Sequence, residues 1–313
     1  MSDEAQIVVV GSHIPGQFIR VKRPPVAGET VIGWDYQEPM DGGKGSNQAI
    51  AAAKLGGRVS FVGCVGQDSI GEEGARWMAE AGVDITHLKR STKMASGIGF
   101  ILLDERGVPA MVCSIGANAE LNERDVDTAL ADLKSAKVLL TQFEIRPQVA
   151  IYATRSARQR GLLTIVNPAP APDEQVEGLD CADILTPNET EAKVLLGLPT
   201  DQDTDPARLA AWLREETGAK AVVVTVGEQG IAGCDSQGTW LATPPPVQVS
   251  DTSGAGDVFC AALAVALVEG RPLRQATAWA CAVAALSVTR PGTIPAYPTR
   301  LEAEAFLLRM AHK

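Results

Sequence analysis

Short apolar runs alternate with helical patterns along most of this 313-residue chain. The runs expected to form strands are residues 7–10, 59–62, 138–140, 163–166, 183–185 and 221–225. Helical patterns lie between several of them, at residues 46–55, 71–81, 125–133 and 206–216. Because parallel strands need a crossover connection, usually a helix, this alternation predicts a parallel sheet covered by helices on both faces.

Two stretches break the alternation, because they hold strand-like segments with no helix between them. The first is residues 17–38, with strands expected at 18–21 and 29–32, and the second is residues 97–115, with a turn at 104–107. Paired into one small sheet, the two insertions would project from the main domain and cover a site as a lid. The predicted division is an α/β domain at residues 1–12, 41–93 and 117–313, with the β lid at 13–40 and 94–116.

Composition and charge exclude several classes of partner. The net charge of −10 and the lack of a basic cluster argue against nucleic acid or an anionic membrane surface. The acidic first residues and the absence of a long unbroken apolar run predict a soluble, cytoplasmic protein.

Residues 251–257 read Asp-Thr-Ser-Gly-Ala-Gly-Asp and run directly into the apolar segment 258–267. Small residues let a backbone approach an anion closely, and the first N–H groups of a helix bind anions with the help of its dipole. A carboxylate in that position repels a bound phosphate, but it suits a base held beside a phosphoryl group in transfer. The segment therefore predicts a phosphotransfer site.

A second glycine-rich segment, residues 41–49, reads Asp-Gly-Gly-Lys-Gly-Ser-Asn-Gln-Ala and leads into a helical pattern. Its backbone can crowd a polar ligand, and Lys44, Asn47 and Gln48 add hydrogen-bonding groups. It is not a Walker A loop, because the upstream glycine and the Ser/Thr after the lysine are missing. Taken alone it fits either a helix-capping loop or a ligand loop, and residues 251–257 favour the ligand loop.

Residues 185–192 place Asn188 where it can cap a helix and Glu191 in the first turn of that helix. The same pair offers hard oxygen ligands to a hydrated Mg²⁺, and we favour this interpretation over a plain helix cap. Residues 224–230 put Thr225 and Gly227 at the end of a strand, where open α/β sheets bind nucleotides. A nicotinamide dehydrogenase is disfavoured, because no Gly-x-Gly-x-x-Gly follows the first strand.

Together these motifs resemble the ribokinase-like (PfkB) carbohydrate kinase family. Residues 42–49 are similar to its N-terminal signature and residues 251–257 to its C-terminal signature. Further similar segments follow in the same order at residues 28–30, 116–119, 167–171 and 186–191. The resemblance extends from about Ile7 to Pro298 and implies a three-layer αβα fold with a mostly parallel central sheet and a small β-sheet lid.

The resemblance also implies ATP-dependent transfer of the γ-phosphate to a primary hydroxyl of ribose or a related sugar. Asp257 would be the base, and the N–H groups of Gly254, Ala255 and Gly256 would form an anion hole for the developing charge. The implied sugar-binding residues are Gly42, Gly43, Lys44, Asn47, Glu144 and Asp257.

For the nucleotide, the resemblance implies contacts from Asn188, Thr225, Gly227 and Gly256. Asn188 and Glu191 would hold Mg²⁺ through water. A K⁺ ion would activate the enzyme from a loop built by Asp251, Ser253, Arg290, Gly292 and Ala296. The lid would also form the interface of a homodimer.

One pair of positions departs from the family pattern. After the first strand the family presents Asn-x-Asp, whose side chains hold sugar hydroxyls, whereas this chain has Ile14 and Gly16. A site that loses such groups loses selectivity, so the sequence leaves the sugar open. Asp41, an extra residue before Gly42, is either a replacement carboxylate or a solvated turn acid.

Two other functions fit parts of the sequence. A nucleoside kinase would have the same fold, but Trp34, Tyr36 and Phe100 give the lid limited aromatic surface for stacking a base. A non-catalytic sugar-binding regulator would have no need of a positioned base at Asp257.

Overall fold

The computed structural model describes residues 5–37, 42–106, 109–172 and 174–311, and strands alternate with helices through most of this part of the chain. The strands are β1 (Ile7–Val10), β2 (Gly16–Arg20), β3 (Trp34–Gln37), β4 (Val59–Gly66), β5 (Leu88–Ser91), β6 (Ile98–Leu103), β7 (Pro109–Ser114), β8 (Val138–Gln142), β9 (Leu163–Asn167), β10 (Ile184–Leu185), β11 (Ala221–Thr225), β12 (Ile231–Asp235) and β13 (Gly238–Ala242). The α-helices are α1 (Gly43–Lys54), α2 (Ser69–Glu80), α3 (Glu123–Asp132), α4 (Pro147–Gln159), α5 (Glu189–Leu195), α6 (Pro206–Thr217), α7 (Ala255–Val268), α8 (Leu273–Ser287) and α9 (Arg300–Ala311).

The large sheet has nine strands in the order β13-β12-β11-β10-β9-β8-β1-β4-β5. The neighbours from β11 to β5 pair in parallel, while β12 and β13 are antiparallel. Each predicted strand of the main domain lies in this sheet, so the predicted mostly parallel sheet is confirmed. The hairpin formed by β12 and β13 and the edge strand β5 were not among the predicted strands.

Helices cover both faces of the large sheet, which makes three layers. Successive residues of β1 point to opposite faces, so Ile7 and Val9 pack in one apolar core and Val8 and Val10 in the other. The first core contains residues of α1, α7 and α8, and the second contains residues of α3, α4 and α6. Burial on both faces explains why the central strands read as continuous apolar runs.

Helix α7 lies deep in the first core. Its residues Asp257–Ala266 are all buried, as expected of a helix that is apolar on every side. It packs between α1 and α8. This packing fixes the N-terminus of α7, and with it the 251–257 motif, at one edge of the sheet.

The two insertions form one four-stranded sheet in the order β3-β2-β6-β7. The parallel pair β2 and β6 joins the insertions, which confirms that they build one small sheet. The strand predicted at residues 29–32 is wrong, because the second strand of the first insertion is β3. The Glu29 side chain instead closes a loop, since it pairs with Arg23 and accepts a hydrogen bond from the Val26 N–H.

No helix in the described ranges is long and apolar enough to cross a membrane.

Candidate active site

Polar residues stand at the carboxyl ends of four parallel strands, where the candidate site lies. Gln142 ends β8, Asn167 ends β9, Thr186 follows β10 and Thr225 ends β11. The N-termini of α1 and α7 lie at the same edge, because Gln48 near the start of α1 contacts both Asp257 of α7 and the residues that end β8 and β9. Open α/β sheets bind their ligands at this edge.

The Asp257 carboxylate joins the two glycine-rich motifs. Asp257 is only 7% exposed and lies in the first turn of α7. Its Oδ2 accepts from Asn47 Nδ2 at 3.2 Å, and its Oδ1 accepts from Gln48 Nε2 at 3.0 Å. The structure therefore brings together residues about two hundred positions apart in sequence, as the phosphotransfer prediction requires.

The N-terminus of α7 presents backbone N–H groups beside this carboxylate. Gly254 has a φ of 73°, and a Cβ there would lie 2.6 Å from the Tyr297 hydroxyl, so the turn suits only glycine. The Ala255 N–H donates to the Thr252 carbonyl at 3.2 Å. Within the described chain the N–H groups of Gly254 and Gly256 have no acceptor, and two of the three predicted anion-hole donors are therefore free to bind an anion.

Lys44 is the cation of the site. Burial is the largest influence on its ammonium and lowers the pKa, but the negative charges of Asp257, Glu144 and Glu191 outweigh it and raise the pKa above the ordinary value. Lys44 therefore stays protonated at neutral pH. One ammonium is thus shared by three carboxyl groups.

Glu144 follows β8 and is held against the start of α1. Its Oε2 accepts from the Ser12 hydroxyl at 2.6 Å and from the Lys44 backbone N–H at 2.8 Å. Burial raises the pKa of the Glu144 carboxyl, and the charge of Lys44 partly offsets this rise. Gly43, with a φ of 74°, passes so close that a Cβ would lie 2.9 Å from Glu144 Oε2.

The two departures from the family pattern lie next to this loop. Ile14 is buried, and its N–H donates to the Gly42 carbonyl at 2.8 Å. A Cβ added at Gly43 would lie 3.1 Å from the Ile14 Cβ. Gly16 begins β2 and pairs with Gly99, so neither partner carries a side chain. Positions 14 and 16 thus add no hydrogen-bonding side chain to the site. Asp41, the candidate replacement, lies outside the described residues.

His13 stabilises the glycine-rich loop through Ser46. Its Nδ1 lies 3.1 Å from the Ser46 hydroxyl, which itself donates to the Gly42 carbonyl. Burial lowers the pKa of His13 to about 4, so the ring is neutral and donates from Nδ1. The buried ring therefore supports the loop.

Asn188 and Glu191 form a reciprocal cap at the start of α5. The Asn188 N–H donates to Glu191 Oε2 and the Glu191 N–H donates to Asn188 Oδ1, both at 2.8 Å. Burial raises the pKa of the Glu191 carboxyl, while the Asn188 hydrogen bond and Lys44 act in the opposite direction. Asn188 also bridges to Thr225 at the end of β11, so the predicted magnesium and nucleotide residues are neighbours. Gly227 is exposed just beyond.

Three of the residues predicted for a K⁺ loop also come together. Asp251 Oδ1 accepts from the Ser253 N–H and its Oδ2 accepts from the Gly292 N–H, both at 2.9 Å, which ties the two halves of the loop together. The Arg290 guanidinium pairs with Glu302 at 2.7 Å. A guanidinium has no acceptor, so Arg290 could serve a cation only through its carbonyl. Ala296 is buried beside this loop.

Two functional candidates were missed by the sequence reasoning. Gln142 and Asn167 each end an apolar strand with a buried amide, and both contact Gln48. The available signal was a polar residue that ends a buried strand at the ligand edge of the sheet.

Comparisons with known proteins agree on one family. The sequence model described as pfkB family carbohydrate kinase matches residues 4–300. A Haemophilus influenzae ribokinase is 35% identical over 301 residues, covering 96% of this chain and 98% of that protein. A Salmonella typhimurium deoxyribokinase is 32% identical, covering 94% and 95%. The solved structure of Arabidopsis thaliana ribokinase complexed with ribose and ATP has a TM-score of 0.87 at 31% identity, covering 97% and 98%.

The charge balance predicts a pH-dependent cost for Lys44→Met. Without the ammonium, the raised pKa values of Glu144 and Glu191 rise further. A carboxyl whose folded-state pKa is raised destabilises the fold as pH rises from its ordinary pKa through the raised one. The variant should therefore lose stability relative to wild type between pH 5 and pH 8, by about 1.4 kcal/mol for each unit of added shift.

Urea unfolding of both proteins at pH 5 and pH 8 measures this gap. Lys54→Met is the matched control, because Lys54 lies on the same helix but donates to the Ile294 carbonyl, away from the three carboxylates. A gap that is the same at both pH values for Lys44→Met would contradict the proposed charge balance.

Proposed function

This chain belongs to the pfkB family of carbohydrate kinases and is an ATP-dependent sugar kinase, and on that premise we propose that it phosphorylates a primary hydroxyl of ribose or a related sugar with Asp257 as the base. The observation that carries the proposal is the doubly hydrogen-bonded Asp257 carboxylate at the N-terminus of α7. A non-catalytic regulator derived from such a kinase is set aside, since it would have no need of a carboxylate held in this way.

In the proposed reaction the sugar hydroxyl oxygen attacks the γ-phosphorus of ATP. The new bond joins that oxygen to phosphorus, the bond from phosphorus to the β,γ-bridging oxygen breaks, and the hydroxyl proton passes to an Asp257 oxygen. Phosphoryl transfer has a loose transition state, so positioning and electrostatic stabilisation supply most of the acceleration. The N–H groups of Gly254 and Gly256 would stabilise the charge that develops on the transferred group.

Other groups of the site fit supporting roles. Lys44, kept protonated by three carboxylates, would neutralise charge between the sugar and the phosphate. Gly42, Gly43, Asn47 and Glu144 would line the sugar, and Thr225 and Gly227 the nucleotide. Asn47 also donates one amide N–H to Asp257. Its second role would be to orient the base.

Two cations fit the residues present. Asn188 and Glu191 supply the hard oxygens that Mg²⁺ prefers, and their mutual cap leaves lone pairs for water-mediated contact. Bound there, Mg²⁺ would neutralise charge on the phosphates of ATP. A K⁺ ion suits the loop that Asp251 ties together with Ser253 and Gly292, near the start of α7.

Asp257→Asn should lower kcat by at least about 10³-fold, because the amide keeps the size of the side chain but cannot accept the proton. The affinity for ATP should change little. Coupled ADP-release assays and calorimetric titration of ATP measure the two quantities. Asp201→Asn, an exposed loop substitution, is the control and should behave as wild type. Retained turnover in Asp257→Asn would remove Asp257 as the base.

The substrate is tested with a panel of pentoses, deoxypentoses, hexoses and nucleosides. We expect the highest kcat/KM for ribose or a related pentose, and a higher rate with K⁺ than with Na⁺ at equal ionic strength. A deoxypentose is included because Ile14 and Gly16 leave no hydrogen-bonding side chain at two positions, and because one relative is a deoxyribokinase. Turnover of nucleosides alone would favour the nucleoside kinase instead.

We also propose that the small sheet acts as a lid and forms a homodimer interface. Trp34, Tyr36, Phe100, Met111 and Val112 of this sheet are exposed, with Phe100 and Val112 on one face and Met111 on the other. Phe100 and Val112 are direct cross-strand partners, and β7 is an edge strand. Apolar patches and open edges of this kind are usually covered by a partner. A cytoplasmic location fits a kinase that consumes ATP.

Val112→Glu should convert the dimer to a monomer, because it places a charge beside Phe100 on the exposed apolar face of the edge strand β7. Sedimentation velocity over a range of protein concentrations measures the mass. Leu308→Glu adds the same charge at an exposed position of α9 and should leave the mass unchanged. A wild-type protein that sediments as a monomer at every concentration would contradict the proposal.

A further inference from the structure

A single buried side chain, Gln48, connects Asp257 to the ends of the central strands. Gln48 has no exposed surface. Its Nε2 lies 3.0 Å from Asp257 Oδ1 and 3.2 Å from Asn167 Oδ1, and its Oε1 accepts from Gln142 Nε2. Every polar atom of its amide therefore has a partner inside the protein.

The partners allow only one orientation of the Gln48 amide. Asn167 Nδ2 donates to the Thr186 carbonyl at 2.7 Å, so its Oδ1 is the atom that faces Gln48. If the Gln48 amide rotated by half a turn, its oxygen would meet two acceptors and its NH₂ would meet the Gln142 NH₂. Such a rotation would replace hydrogen bonds with repulsive contacts.

The groups that hold Gln48 come from a rigid part of the molecule. Gln142 ends β8 and Asn167 ends β9, and the Thr186 carbonyl follows β10, which is the next parallel strand. Gln142 and Asn167 are both buried. Sites supported by strand ends are held more precisely than sites on loops.

We propose that Gln48 is a positioning residue for phosphotransfer, which aims the Asp257 carboxylate. The proposal rests on the proposed role of Asp257 as the base. An N–H donor favours the charged form of a carboxylate. A donor held at one carboxylate oxygen also fixes the direction in which the second carboxylate oxygen points. Since Gln48 is fully buried, it acts through Asp257 rather than by contact with either substrate.

Other charged groups also face Asp257. They are Lys44 of α1, Glu144 beyond β8 and Glu191 of α5. Substitutions at position 48 leave all three in place, so a change in the pH profile of such variants reports on the Gln48 contact.

Gln48→Met removes the donor while keeping the length of the side chain. We expect kcat/KM to fall about 10- to 100-fold near neutral pH, mostly through kcat, with the dissociation constant for ATP unchanged. Because the base is active when ionised, loss of a donor to its charged form should also move the acid limb of kcat to higher pH.

Gln48→Glu is the sharper variant, because it has the same shape but sets two carboxyl groups about 3 Å apart, and carboxylates that share a site cannot both ionise readily. The acid limb should shift upward by at least about one pH unit, further than in Gln48→Met. A role confined to packing would lower activity by the same factor at every pH. An acid limb at the wild-type pH in both variants would overturn the proposal.

Gln142→Met keeps the test decisive if position 48 tolerates no change. This substitution removes the donor to the Gln48 oxygen and leaves the contacts of Asp257 unchanged. We expect a smaller upward shift of the acid limb of kcat. An unchanged acid limb counts against the proposal. Gln159→Met, exposed at the end of α4, is the control. If Asp257→Asn remains active, the proposed base is wrong, whereas an inactive Asp257→Asn with unshifted Gln48 variants refutes only this inference.

Discussion

The pair of amide hydrogen bonds to the Asp257 carboxylate is the contact on which the rest of the site depends. Asn47 and Gln48 are consecutive residues of α1, and both reach one carboxylate at the start of α7. They can do so because α1 and α7 pack side by side on the same face of the sheet. The apolar packing of two helices thus sets the geometry of a polar centre at their N-termini.

The electrostatics of the site follow from that packing. Lys44, on the first turn of α1, is enclosed by carboxylates that arrive from α7, from the end of β8 and from α5. Burial alone would drive the ammonium toward its neutral form and the carboxylates toward theirs. The surrounding carboxyl groups outweigh burial for Lys44 and raise its pKa, whereas the charge of Lys44 only partly offsets the burial that raises the pKa values of Glu144 and Glu191.

The sequence predicted much of the fold because its signals are local. The apolar runs of β1, β8, β9 and β11 are buried on both faces and therefore read as strands without ambiguity. The strand predicted at residues 29–32 failed for an equally physical reason. Residues 29–32 lie in a loop where Glu29 contacts Arg23 and the Val26 N–H, and only the folded structure reveals these contacts.

The residues of the site divide in the same way. The sequence by itself singled out the 251–257 motif, the glycine-rich loop and the Asn188/Glu191 pair, because each shows particular residue types at fixed short spacing. Only the tertiary structure decided that Gln48, Gln142 and Asn167 form one network on Asp257, and that His13 supports a loop. Those contacts join positions separated by tens to hundreds of residues. A hydrogen bond depends on distance and direction in space, which no local pattern encodes.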